Sequence, residues 1–128
     1  MILRCACLVA TREDRLLLVR VRDNELWYLP GGKIEPSELP QETLIRELFE
    51  ELEMVVDAES VRHLYSVRGP AYGRAGDVEL ICFAARWEND PLARGEVSEV
   101  AWIPTTQVGR FAPAVRTLCR TYLRRAAV

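Results

Sequence analysis

A chain of 128 residues with 17 basic and 19 acidic side chains, a formal charge of −2, has room for one domain with a real core and offers no bulk positive surface. That balance argues against a nucleic-acid polymer as partner and leaves metal ions and a few local arginines to meet phosphorylated small molecules. Four cysteines and one histidine, His63, show no zinc-ligand spacing.

In chain order, residues 3–10 and 16–22 read as two strands joined across the polar stretch Thr11-Arg12-Glu13-Asp14-Arg15. The apolar start is not expected to act as a signal peptide, because Arg4 interrupts it and the polar run Thr11 to Arg15 follows at once. No segment approaches the ~20 apolar residues that cross a bilayer. Cys5 and Cys7 alternate along the first strand and share one face, a poor arrangement for a disulfide; buried, reduced thiols of a cytoplasmic protein are the expectation. A short extended piece at 27–29 leads into Pro30-Gly31-Gly32, and a helix begins near Pro40, a residue the first helical turn tolerates. Strands follow at 61–67 and 78–87, separated by a glycine-rich loop over 68–76. A short strand at 100–103 and a closing helix over 113–125 complete an α+β pattern in a single domain, 1–128.

The helix after Pro40 carries the chemistry. At ~100° per residue, Glu47, Glu50 and Glu51 fall in one sector, while Leu44, Ile45, Leu48, Phe49 and Leu52 fall opposite and can face a core. Taken alone, such a run of charge is the solvated face of an amphipathic helix. Clustered carboxylates repel one another unless a cation sits among them, and oxygen-only ligands suit a hard divalent ion such as Mg²⁺. The longer pattern tips the balance. Gly32, then Glu38, then Arg46-Glu47-Leu48-Phe49-Glu50-Glu51, entered through Trp27-Tyr28-Leu29-Pro30-Gly31, resembles the box of the Nudix hydrolase family, of MutT-like type. One position departs: Glu53 stands where that box usually has glycine. Glutamate in a left-handed helix exit costs roughly 1–2 kcal/mol, so the helix is expected to run on or to end through another cap. Replacement of Glu53 by glycine is expected to leave the chemistry nearly unchanged.

The resemblance implies a mixed sheet sandwiched between helices and hydrolysis of a nucleoside diphosphate linked to another group. It implies Mg²⁺, or Mn²⁺ in its place, held by Glu47, Glu50 and Glu51 with a backbone carbonyl of Gly31 or Gly32. By the same resemblance Arg46 orients a carboxylate, Glu38 supports the loop, and a later loop adds a carboxylate, Glu96 being favoured over Glu99. The family's general base varies and is assigned to no residue. Homodimers are frequent in the family, so self-association is compatible with the resemblance.

On the substrate side, Arg4, Arg20, Arg22 and Arg68 are candidates for phosphates, and Tyr72, Tyr28, Trp27 and Phe111 for stacking on a base. Core packing is the stronger reading of Trp27 and Trp102, and the loop bearing Tyr72 is the best candidate for a lid. No asparagine lies near Phe111-Ala112-Pro113-Ala114, which weighs against recognition of oxidised guanine. The competing reading is a Nudix domain that senses nucleotides without cleaving them; retention of all three carboxylates weighs against it.

Overall fold

The computed structural model describes residues 2–123. Its strands are β1 (Ile2–Leu8), β2 (Thr11–Arg12), β3 (Arg15–Val21), β4 (Gly31–Lys33), β5 (Arg62–Pro70), β6 (Asp77–Ala84) and β7 (Val97–Pro104); its helices are α1 (Pro40–Leu52) and α2 (Pro113–Leu118). One sheet has the order β4-β1-β6-β5 and the other β2-β3-β7. Only β1 and β6 run parallel; the remaining pairs are antiparallel.

Side-chain alternation sorts the strands onto two faces. Ala6 and Leu8 of β1, Leu17 and Val19 of β3, and Ile81 and Phe83 of β6 pack with Leu44, Leu48 and Leu52 of α1. Their neighbours Cys7, Leu16, Leu18, Leu80 and Cys82 pack with Ala114, Val115 and Leu118 of α2. The strands are therefore covered by a helix on each face, the α/β/α arrangement of an α+β chain. Each fully buried leucine contributes about 1.5–3 kcal/mol of transfer free energy.

Several element ends differ from the sequence reading, each for a local reason. The polar stretch 11–15 is a tight hairpin, with Glu13 and Asp14 at φ 52° and 62°, the left-handed pair that a two-residue primed turn requires. The Gly31-Gly32 stretch, into which the extended piece at 27–29 leads, is itself strand, paired with Ala6 and Cys7 of β1. At Gly31, φ is 143° and an added Cβ would lie 2.0 Å from the Ala6 carbonyl oxygen, so only glycine fits. β5 runs on to Pro70 because Arg68, Gly69 and Pro70 pair with Glu79, Val78 and Asp77, which shortens the expected loop to 71–76. β7 is longer than 100–103 and includes Glu99, which stands opposite Arg20. The closing helix is regular only through Leu118 and continues as a wider π-turn, Cys119–Leu123; Arg125 lies outside the described residues. No helix among the described residues is long and apolar enough to cross a membrane.

Candidate active site

α1 begins at Pro40, and the Glu42 carboxylate accepts the Leu39 N–H at 2.8 Å, satisfying a free donor at the helix start. Thr43, Leu44, Leu48 and Leu52 are its buried residues, while Phe49 is 58% exposed. The apolar stripe is thus narrower than the sequence reading, which admitted Phe49 to the core: Leu44, Leu48 and Leu52 repeat at i+4, and Phe49 lies about 100° round from Leu48. Glu47 and Glu51 flank this stripe and are half-buried, whereas Glu50 points outward.

Arg46 ties the carboxylates together. Its guanidinium grips Glu38 through two bonds, Nε at 2.7 Å and Nη2 at 2.8 Å, and its Nη1 lies 3.1 Å from Glu50 and 3.5 Å from Glu47. The bond from Arg46, aided by those from Thr43 and the Glu35 N–H, holds the Glu38 carboxyl down at about 2. Glu38 is therefore a support for the turn entering α1.

Across from Arg46 the balance is negative. Burial, followed by repulsion from Glu47, Glu96 and Glu50, pushes the Glu51 carboxyl up to about 8. Burial also raises Glu47, against the pull of Arg46. The other Glu47 oxygen lies against β4, where a Cβ on Gly32 would fall 1.7 Å from it. Among the described residues, no three acidic, histidine or cysteine side chains close on a common point. Arg46 draws Glu47 and Glu50 toward itself, so the carboxylates stand side by side. The donor set nevertheless suits a divalent cation: all its atoms are oxygens, its charge is incompletely balanced, and Glu47 and Glu51 lie one helical turn apart beside the Gly32 strand.

Glu51 also lines a cavity of about 240 Å³. Its walls are mainly apolar, from Leu3, Val19, Leu29, Val78, Leu80 and Val115, with Tyr28 and Tyr72 among them. Among the described residues, Glu51 and Arg74 are the only charged ones that line it. Asn24 donates to the Tyr28 hydroxyl at 3.0 Å and fixes that ring. Cys5 and Cys7 also line the space, and burial first of all raises both thiols, Cys5 to about 11, so they are protonated near neutrality. All four cysteines are free thiols.

Of the residues singled out from sequence as site candidates, the structure brings Tyr28, Tyr72, Gly31, Gly32 and Glu51 to this cavity. It does not bring Arg4, Arg20 or Arg68 there. Arg4 is paired with Glu79 at 3.0 Å, Arg68 with Asp77 at 3.0 Å, and Arg20 with Glu99. Their strand positions face each of them with a carboxylate on the neighbouring strand. Arg22 pairs with Glu96 at 3.0 Å; Glu96 is exposed, yet it still contributes to the field on Glu51. Phe111 is fully buried and bridges Trp27, and Trp27 itself is buried. Sequence reasoning passed over Arg74. The one available signal was its place two residues after Tyr72 in the glycine-rich loop.

Two sheets, one of them mixed, between two helices, with a glycine strand laid against an acidic helix beside an apolar cleft, define the architectural class. The chain belongs to the Nudix family: the model described as NUDIX domain matches residues 1–122. A MutT-like protein of Streptomyces ambofaciens is 41% identical over 58 residues, which are 44% of this chain and 38% of that protein. The bovine (Bos taurus) diphosphoinositol polyphosphate phosphohydrolase 3-beta is 46% identical over 48 residues, 37% of this chain and 29% of that one. These matches span well under half of either relative. The solution structure of the E. coli ORF135 protein has a TM-score of 0.73 at 24% identity, covering 95% of this chain and 89% of that one, a likeness of fold.

Proposed function

We propose that this Nudix domain is a Mg²⁺-dependent pyrophosphohydrolase, Mn²⁺ being the other ion its donors suit, that cuts a phosphoanhydride bond in a nucleoside diphosphate linked to another group. A nucleoside triphosphate fits it best. The observation that carries this reading is the position of Glu51, a carboxyl of the acidic helix that is also a wall of the apolar cavity. A base seated between apolar walls and tyrosines would leave its phosphates at the carboxylates.

Glu47, Glu50 and Glu51, with the Gly32 backbone and Glu96, are the residues we assign to the ion, and Arg46 orients Glu47 and Glu50. When bound, the ion supplies positive charge against the phosphates and Lewis acidity toward the bond being broken. For a triphosphate, the hydrolysis adds the water oxygen to phosphorus, breaks one bridging P–O bond, and releases the nucleoside monophosphate and pyrophosphate, the water's proton passing to solvent. Tyr72 and Arg74, on the loop between β5 and β6, are the residues we assign to the substrate side. One relative is named for a diphosphoinositol polyphosphate, yet a ring crowded with phosphates would meet only one lining cation among the described residues. Buried, protonated thiols accord with a cytoplasmic setting, which belongs to the same proposal.

The test is hydrolysis of nucleoside triphosphates and diphosphate conjugates with Mg²⁺, products identified by mass spectrometry, for wild type and Glu51→Gln. Monophosphate release by wild type alone is the expected result. Tight nucleotide binding without turnover would make the domain a sensor.

A further inference from the structure

The glutamate that breaks the box pattern is built into a clasp. α1 stops at Glu53 in the left-handed conformation, φ 54° and ψ 25°, with its N–H donated to the Leu48 and Phe49 carbonyls. The segment 88–96 then closes over the helix end. Leu92 N–H donates to the Leu52 carbonyl at 2.9 Å and Arg94 N–H to the Glu51 carbonyl at 2.8 Å, satisfying acceptors a helix terminus leaves free. The Asn89 side chain bridges the exit, donating to the Glu53 carbonyl at 2.6 Å and accepting from Val55 N–H at 3.0 Å. The Arg94 guanidinium grips the Glu53 carboxylate. Gly95, at φ 58°, passes close to the Glu50 carbonyl, and the next residue is Glu96.

Stability alone does not favour glutamate at this exit. The left-handed backbone costs roughly 1–2 kcal/mol and an exposed ion pair returns about 0–1 kcal/mol. What the pair does accomplish is geometric: it joins the end of the helix bearing Glu50 and Glu51 to the turn that presents Glu96. We propose that Glu53 and Arg94 are positioning residues whose ion pair holds Glu96 against the carboxylates of α1, so that helix and loop offer a single set of ligands. This rests on Glu96 belonging to the proposed ion site. Glu53 thereby gains a role the sequence pattern did not suggest, and Glu53→Gly is no longer expected to be silent.

The experiment measures Mn²⁺ affinity by paramagnetic resonance titration, with thermal unfolding of the metal-free protein alongside. The variants are Glu53→Gly, Arg94→Ala, Arg94→Lys and Glu96→Gln. Glu53→Gly and Arg94→Ala should each weaken Mn²⁺ about tenfold, as loss of a group that orients a ligand does. Their double variant should be no weaker than either single variant, and Arg94→Lys should recover most of the affinity. Glu53→Gly should at the same time hold or raise the unfolding temperature, an effect opposite in sign to simple damage. Weakened binding in Glu96→Gln with unchanged binding in Glu53→Gly and Arg94→Ala would overturn the clasp and spare the site. Unchanged binding in Glu96→Gln would remove Glu96 from the site and the proposal with it.

Discussion

At the scale of single residues, the cluster gives the metal-free protein a distinctive pH response. The Glu51 carboxyl moves from an ordinary 4.5 in the unfolded chain to about 8 in the fold, chiefly through burial. Between those values the folded state binds more protons than the unfolded one, so stability falls as pH rises across this window and is flat beyond it. One proton sets a ceiling of about 1.4 kcal/mol per pH unit. Glu38 acts with the opposite sign: held near 2 by Arg46, it contributes stability above 4.5 that is lost as pH falls toward 2. Thermal unfolding without metal should therefore show a midpoint that declines from about pH 5 to 8, and Glu51→Gln should flatten it. A flat wild-type profile, or an equal slope in the variant, would contradict the assignment. Gly32 supplies a second test. An alanine Cβ there would fall 1.7 Å from the Glu47 carboxylate, at the movable end of a side chain, so Gly32→Ala should fold yet displace Glu47. A displacement of this size predicts a fall of about 10²-fold in kcat with little change in unfolding temperature; near-normal turnover would place Glu47 outside the chemistry.

At the scale of elements, the acidic helix was the most legible part of the chain, because i+3 and i+4 spacing determines its faces whatever surrounds it. Its start at Pro40 and its buried stripe of Leu44, Leu48 and Leu52 agree with the spacing. Truncating the middle of that stripe, Leu48→Ala, should cost about 2–5 kcal/mol in chemical unfolding, against under about 0.5 kcal/mol for the exposed neighbour Phe49→Ala. Equal losses at both positions would mean that the helix docks through another face. Helix ends and strand ends were less legible, since partners distant in sequence decide them. Glu53 reads as a poor terminator until Asn89 and Arg94 arrive from the far side of β6. Gly31 and Gly32 carry no strand signal of their own, and only the ladder edge of β1 makes them a strand.

At the scale of the whole molecule, the cleft exists only because strands and loops from separate parts of the chain meet. Leu3, Val19, Leu80 and Val115 converge there with Glu51 and the β5–β6 loop, and no local spacing announces that convergence. The same limit governed the arginines. Each looked equally available in the sequence, and cross-strand pairing then engaged Arg4, Arg20 and Arg68 with Glu79, Glu99 and Asp77. Arg74 forms no ion pair among the described residues, and it lines the cavity whose other charged wall is Glu51. A guanidinium and a carboxyl lining one apolar space favour a ligand that is anionic where it meets Arg74 and metal-bridged where it meets Glu51. A charge-assisted contact of this kind is worth about 1.5–3 kcal/mol, or roughly 10- to 100-fold in affinity. It would be made before and during the reaction alike, so its loss should appear in KM with kcat nearly intact. Arg74→Ala should thus raise KM for a nucleoside triphosphate by about 10- to 100-fold, while Arg68→Ala, already balanced by Asp77, should change it less than about threefold. Steady-state kinetics on the two variants decides the matter. Equal effects would mean that bulk charge rather than a placed guanidinium draws the substrate in, and a fall in kcat alone would put Arg74 at the reacting phosphate.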